Sequence, residues 1–368
     1  MPLPVNAEET GSQNTVSDNT VQTENTVQTE NVVTVTDIAV DTSAASQTLD
    51  HYDENGFCRG YEIASDGSGA WVKKSGDDAC TDENCNGYQP MTTVTEAGTE
   101  WYEISNAGQL YWFADQVDNG NLLDANVRLT ADIVDNEGVT FGWDENNNYA
   151  VVATKDGQTV DAKTLREWNP IGSRKNNTSY NFAGHFDGQG HIISGLYYNN
   201  GSDDSVGVFR GVQGTKDNYA IVERIGLENS YLNGDFETGA ITGYADYAIF
   251  RQCYNVAYLV SELWTGGIIG ATTYRNIELS ELYNVGEVKA LGIKYSQYRG
   301  ISIGQIVGYL DSGNEFEFVN SCYVRSDLNI DFYGNGSYYN VETTFLPMES
   351  LILCQDLVQV KMRKFSPF

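Results

Sequence analysis

The chain has 368 residues, with Lys+Arg 21 against Asp+Glu 51 and a formal net charge of -30. So acidic a surface repels nucleic acid and anionic lipid, which argues against both as partners and suits an exported, highly soluble protein. No apolar run reaches the roughly 20 residues that a membrane helix needs, so membrane insertion is not expected; Tyr 24 and Gly 37 beside Pro 6 suit many short strands with glycine corners.

In chain order, Met1 to Ala7 reads as the end of a secretion signal. Val5-Asn6-Ala7 puts small or apolar residues where a signal peptidase reads, and the charged and apolar parts of the signal would lie upstream of Met1. Residues 8–50 hold no Lys, Arg, Phe, Trp or Tyr and carry a tandem hexapeptide, Thr20–Asn25 and Thr26–Asn31. Such a segment buries too little apolar surface to offset chain ordering, so residues 1–50 are expected to be a disordered acidic leader. Residues 51–98 form a small Cys- and His-containing module. His51, Cys58, Cys80 and Cys85 could supply the four ligands of a structural, tetrahedral zinc. A disulfide with one spare thiol is an equal reading in an oxidising compartment, and free thiols are a third.

Residues 99–345 read as a repeat domain of strands behind one helix. Asn106 and Gln109 resemble a capping box, Leu110, Phe113, Ala114 and Val117 follow at helical spacing, and Asn119-Gly120 ends the helix. Val127, Leu129, Ala131 and Ile133 alternate as a strand, so the helix is placed to cover the open end of a strand stack. Residues 134–168 read as a polar excursion, and Trp168-Asn169-Pro170-Ile171-Gly172 leads back. Phe182 to Phe186 alternates as a strand, Asp187-Gly188-Gln189-Gly190 makes a tight turn, and His191 to Leu196 is a second strand.

From residue 205 the layout recurs. Val206-Gly207-Val208-Phe209, Gly239-Ala240-Ile241-Thr242-Gly243, Gly266-Gly267-Ile268-Ile269-Gly270 and Ile303-Gly304-Gln305-Ile306-Val307-Gly308 alternate with Ile225-Gly226-Leu227, Cys253-Tyr254-Asn255, Leu282-Tyr283-Asn284 and Cys322-Tyr323-Val324. Repeats of this length mean a solenoid, propeller or array. With two or three short strands per unit, the best fit is an all-β, right-handed parallel β-helix. Cys253, Leu282 and Cys322 occupy one repeat position, so the two cysteines stand two strands, about 9 to 10 Å, apart. That is too far for a disulfide, and both are expected to be reduced core residues. The tail, 346–368, has no repeat character and turns basic; it reads as a capping fragment or as a lost reading frame.

Tyr102–Ala114, Val127–Ile133, Trp168–Gly172 and Phe186–Leu196, followed by the Gly-Gly-Ile-Ile-Gly and Cys-Tyr-Asn units, resemble GLUG-type repeat proteins of the cell surface of gut Firmicutes. Such repeats also occur in some IgA-cleaving metallopeptidases. The resemblance covers about residues 100 to 325. It implies an exported, cell-surface parallel β-helix and no catalytic residue. The cysteine module resembles small His-Cys-Cys modules of the same proteins in a stretched form.

Neither His-Glu-x-x-His nor a phosphate loop occurs in the sequence. His185 and His191 flank the Asp187 turn and read as outer-face side chains, with Asp187 as the turn's cap. Carboxylate pairs that a polysaccharide-cleaving β-helix enzyme would need are Asp235 with Glu237, Asp203 with Asp204, and Glu278 with Glu281. Exposed aromatic rings stack on sugar faces, which makes Tyr197, Tyr198, Tyr244, Tyr247 and Trp264 candidates for a ligand-binding wall; core or ladder packing is the alternative for each. The reading is a non-catalytic, secreted or cell-surface adhesion module for host glycan, mucin or surface protein. The alternatives are a polysaccharide-degrading lyase or glycosidase, and a structural spacer.

Overall fold

The computed structural model describes residues 51–175, 178–272, 277–294, 302–310, 318–320, 322–325 and 343–346. The leader and nearly all of the tail lie outside these residues. The described part is mostly strand with one α-helix. No helix among the described residues is long and apolar enough to cross a membrane.

Three parallel sheets share the repeat region, and the chain visits them in the same order in successive repeats. The long sheet takes Ala220–Asn233 and Ala248–Ser261 as unbroken runs. A four-stranded sheet follows, made of Ser205–Val206, Glu237–Gly239, Trp264–Gly266 and Ser302–Gly304. A second four-stranded sheet holds Phe209–Gln213, Thr242–Asp246, Ile269–Thr272 and Val307–Leu310. Parallel strands adjacent in a sheet stack like residue on like, so the repeat becomes a set of columns. Val127, Phe186, Val222, Phe250 and Leu279 form one column, each 0% exposed. Tyr198, Leu232, Leu259 and Val288 form another. Burying one such side chain contributes about 1.5–3 kcal/mol, so each repeat is held mainly by its neighbours.

The expected equivalence of Cys253, Leu282 and Cys322 appears in the backbone register. Tyr254 pairs with Tyr283 and Tyr283 with Tyr323, which puts the residue before each in one column. Cys253 and Leu282 are fully buried and Cys253 is a free thiol; the Cys322 side chain lies outside the described residues.

Two polar ladders mark the same turns. Asn255 and Asn284, both fully buried, pair in register, and Asn255 Nδ2 donates to Asn284 Oδ1 at 2.8 Å. One residue earlier, Tyr254 stacks on Tyr283 at 4.9 Å and 5°. Gly226 lies under Tyr254, where a Cβ would sit 2.1 Å from the ring. The corner itself is a column of left-handed residues: Gln189, Arg224, Gln252 and Glu281 have φ of 55°, 54°, 55° and 54°.

The Asp187 turn is one of these corners. His185–Asp187 and Ile192–Ser194 do not pair with each other; both pair with the long run Ala220–Asn233, at Ile221 to Glu223 and at Gly226 to Glu228. Asp187 Oδ1 accepts from Gln189 N at 2.9 Å, and the Arg224 guanidinium grips both carboxylate oxygens.

The helix forms over Ala107–Asp118, with Asn106 Oδ1 accepting from Gln109 N at 2.9 Å and Gln109 Oε1 accepting from Ser105 N at 2.7 Å. Its Leu110, Phe113, Ala114 and Val117 enter the core, and Phe113 lies against Phe182 and Phe186.

The segment 134–168 corrects the polar-excursion reading. It folds as an antiparallel sheet of Val139–Asp144, Ala150–Lys155 and Gln158–Thr159. Val139, Phe141 and Ala153 cover Tyr197, Tyr231 and Val260 of the long sheet. Asn229 extends this seam: its side chain accepts from Phe141 N at 3.0 Å and donates to Val139 O at 2.7 Å.

The module 51–98 is fastened to the body at Arg166. The guanidinium carbon lies 3.4 Å from the Phe57 ring centroid and 4.6 Å from that of Trp71. Its NH1 pairs with buried Asp135 at 2.7 Å, which also accepts from the Tyr111 hydroxyl at 2.8 Å. One cation thus ties the module and the helix to Asp135, at the end of the long-sheet strand Ile133–Val134.

Candidate functional site

The four residues singled out in the small module meet at one point. Their ligand atoms, one imidazole nitrogen and three sulfurs, all lie within 4.8 Å of one another. His51 Nε2 is 3.3 Å from Cys85 Sγ, 3.4 Å from Cys58 Sγ and 3.6 Å from Cys80 Sγ. Cys58 and Cys80 are buried at 1% and 6% exposure, and all three cysteines are free. Two glycines, absent from the sequence reading, shape the cluster. Cys58-Arg59-Gly60 and Cys85-Asn86-Gly87 are both Cys-x-Gly, and each glycine N–H points back at the sulfur two residues earlier, Gly87 N at 3.3 Å from Cys85 Sγ. Gly60 cannot carry a side chain, since its Cβ would stand 2.2 Å from Cys80 N. The repeated Cys-x-Gly is the sequence signal that points to these turns. With no cation, burial pushes the Cys58 thiol up to about 12. Chemically, these four ligand atoms could together hold one soft cation.

A second cluster, His185, Asp187 and Glu223, is an ion-pair network. His185 Nε2 donates to Glu223 Oε1 at 2.7 Å, Arg251 takes the other Glu223 oxygen, and Arg224 takes Asp187. Burial alone would raise Glu223, yet hydrogen bonds from His185 and Arg251 outweigh it and hold the carboxyl down at about 2. Two arginines already neutralise both carboxylates, so little charge is left for a cation. His191 faces outward, 3.0 Å from Asp132.

The five aromatics proposed for a ligand wall separate into two groups. Tyr197 and Tyr198 are 7% and 6% exposed and cannot offer a ring face. Tyr197 lies in an outer row with Tyr231 and Tyr258, but the antiparallel sheet covers that row and Phe141 lies parallel to the Tyr197 ring at 6.0 Å. Tyr198 points into the core and donates its hydroxyl to Asp203. The burial of Tyr197 comes from a segment that the sequence reading placed away from the stack. Tyr244, Tyr247 and Trp264 remain partly exposed. Trp264 stacks on Tyr309 at 4.1 Å and 11°, and Phe236 meets its edge at 6.1 Å. Tyr309 shares a register column with Tyr244, with Ala271 between them. Tyr247 meets Tyr219 edge-on at 5.9 Å, away from this group.

Beside Trp264, in the same cross-strand row, stands Glu237, followed by Ser205. Burial, with Asp204 nearby, raises the Glu237 carboxyl to about 7, against a hydrogen bond from Ser205 and the charge of Arg174. Of the other carboxylate candidates, Asp203 pairs with Arg210, Asp235 with Lys294, and Glu281 with Gln252.

No family model matches this chain, and no solved structure does. The chain is similar to halomucin of Haloquadratum walsbyi, 24% identical over 243 residues. That stretch covers 64% of this chain and 2% of halomucin, so the chain spans a very small part of that protein's length.

Proposed function

We propose that this chain is a secreted or cell-surface module of GLUG-type repeats, in which the three parallel sheets close into a right-handed parallel β-helix that presents one face to host glycan, mucin or surface protein without catalysis. The observation that carries this reading is the conserved register through all three sheets. Phe209, Thr242, Ile269 and Val307 stack in one sheet while Ser205, Glu237, Trp264 and Ser302 stack in another. A chain that visits the same sheets in the same order is advancing by one layer per repeat. The likeness to halomucin, a mucin by name, supports a surface or secreted location. The binding face is the partly exposed group of Tyr244, Trp264 and Tyr309, which offers rings for sugar stacking.

The full chain passed over immobilised mucins and plant polysaccharides tests this, with retained protein and released sugar measured together. Retention without release, weakened at least about tenfold by Trp264→Ala, is the expected result. Neither retention nor release would leave a spacer. A second reading, polysaccharide cleavage, has one observation in its favour: Glu237 titrates near neutrality next to Trp264. Release of new chain ends that is lost in Glu237→Gln would establish it.

A further inference from the structure

We propose that His51, Cys58, Cys80 and Cys85 bind one Zn²⁺, and that this ion is the structural centre of the 51–98 module. Around a tetrahedral zinc, with Zn–N of about 2.0–2.1 Å and Zn–S of about 2.3 Å, the nitrogen and a sulfur stand about 3.6 Å apart. The three distances from His51 Nε2, 3.3, 3.4 and 3.6 Å, lie at or just inside that edge length. A contraction of a few tenths of an ångström is small enough for the side chains to relax around an ion.

The surroundings favour metal over the other fates of three cysteines. A disulfide would use two sulfurs and leave the third beside the imidazole with no partner chemistry. The two Cys-x-Gly turns aim backbone N–H groups at Cys58 and Cys85, which stabilises thiolate sulfur and orients the ligands. Sulfur-rich, nitrogen-completed sites select zinc over the hard cations calcium and magnesium, which take oxygen. Four protein ligands with two buried cysteines leave no open position, so the ion is structural.

The module has need of such an ion. Apart from Thr92–Glu96, which pairs with Thr99–Ile104 beyond it, its secondary structure is one short antiparallel pair, Tyr61–Ile63 with Trp71–Lys73, and one 3-10 turn, Gly76–Asp78. Units of this size rarely hold a fold on apolar burial alone. Phe57, next to ligand Cys58, and Trp71, whose indole N–H donates to Gly87 O at 3.1 Å, are the two rings that clamp Arg166. The ion therefore holds the clamp that fastens the module to the rest of the protein.

The test uses the full chain, purified under reducing conditions, with metal measured by elemental mass spectrometry. One zinc per chain is expected, and exchange with Co²⁺ should give the thiolate charge-transfer and tetrahedral d–d bands of a sulfur-rich site. Cys80→Ser and Cys85→Ser should each lower zinc retained after dialysis by at least about tenfold. Cys253→Ser should leave it unchanged, because Cys253 is buried in the repeat core. Removal of zinc by a chelator should change the near-ultraviolet circular dichroism of the Phe57–Trp71 clamp, and added Zn²⁺ should restore it. The proposal is overturned if the reduced chain takes up no zinc, if Co²⁺ binds with an octahedral spectrum, or if the cysteine variants keep full stoichiometry.

Discussion

Replacing Asn255 by Leu tests whether the repeats are joined by a buried polar ladder. Leucine has the branched outline of asparagine and no hydrogen-bonding group. The wild-type side chain donates to Asn284 Oδ1 at 2.8 Å and accepts from Ala257 N at 2.8 Å, and Ala257 is 1% exposed. Losing the amide–amide bond costs about 1 kcal/mol, and stranding a buried N–H costs about 1–3 kcal/mol. The added apolar contact returns part of this, since the column continues to Leu227. The net loss should be about 2–3 kcal/mol. Asn284→Val should cost about as much, about 2–3 kcal/mol, because it strands the buried Asn255 Nδ2 although Gly286 N keeps the Asn255 carbonyl at 3.0 Å. The double variant should be about 1 kcal/mol less harmful than the two losses together, which measures the bond between the two side chains. Urea unfolding of the full chain, followed by tryptophan fluorescence, gives the three values if m is unchanged. Asn255→Leu costing less than about 0.5 kcal/mol, or strict additivity, would refute the ladder as a source of stability.

Glu237 supplies a pH prediction. Its folded carboxyl titrates at about 7 against an ordinary 4.5, so the group penalises the folded state as pH rises between those values and the penalty is complete above 7. At about 1.4 kcal/mol per pH unit this amounts to at most about 3.5 kcal/mol; Glu237→Gln should remove that loss, and equal midpoints for both proteins at pH 5 and pH 8 would contradict it. At the left-handed corner, Glu281 has φ of 54°. Glu281→Val should cost about 1–2 kcal/mol while Glu281→Asn costs almost nothing, because only asparagine of the two tolerates that backbone; equal thermal midpoints would remove the strain argument. Gly226→Ala drives a Cβ into Tyr254, a ring held by its stack on Tyr283, and should cost at least about 2 kcal/mol. Adding Tyr254→Ala should make that substitution much less costly, and an unchanged penalty would show that the ring is not the obstacle.

Some features were legible because their causes are local. The helix Ala107–Asp118 follows from Asn106, Gln109 and a single apolar stripe, all acting within a few turns. The equivalence of Cys253, Leu282 and Cys322 follows from counting along a repeat, since parallel stacking brings equal repeat positions together. The sheet over 139–159 was also partly legible, for Val139, Phe141 and Trp143 alternate, but acidic and amide residues around them masked the pattern.

The amino-acid order by itself determined the repeat, its columns and the strand-forming segments, because period-2 alternation and glycine placement are properties of the chain. Tertiary structure decided what those segments pair with. Asp187-Gly188 is compatible with a hairpin or a corner, and only the long run beside it makes it a corner. Tyr197 became core because a sheet from 139–159 folds back over it, and no local pattern records that cover. The four residues of the Cys/His cluster span His51 to Cys85, and their convergence depends on loop folding and on the clamp at Arg166. Contacts between distant residues are chosen by the free energy of the whole packed chain, so a reading made residue by residue can name the candidates but cannot bring them together.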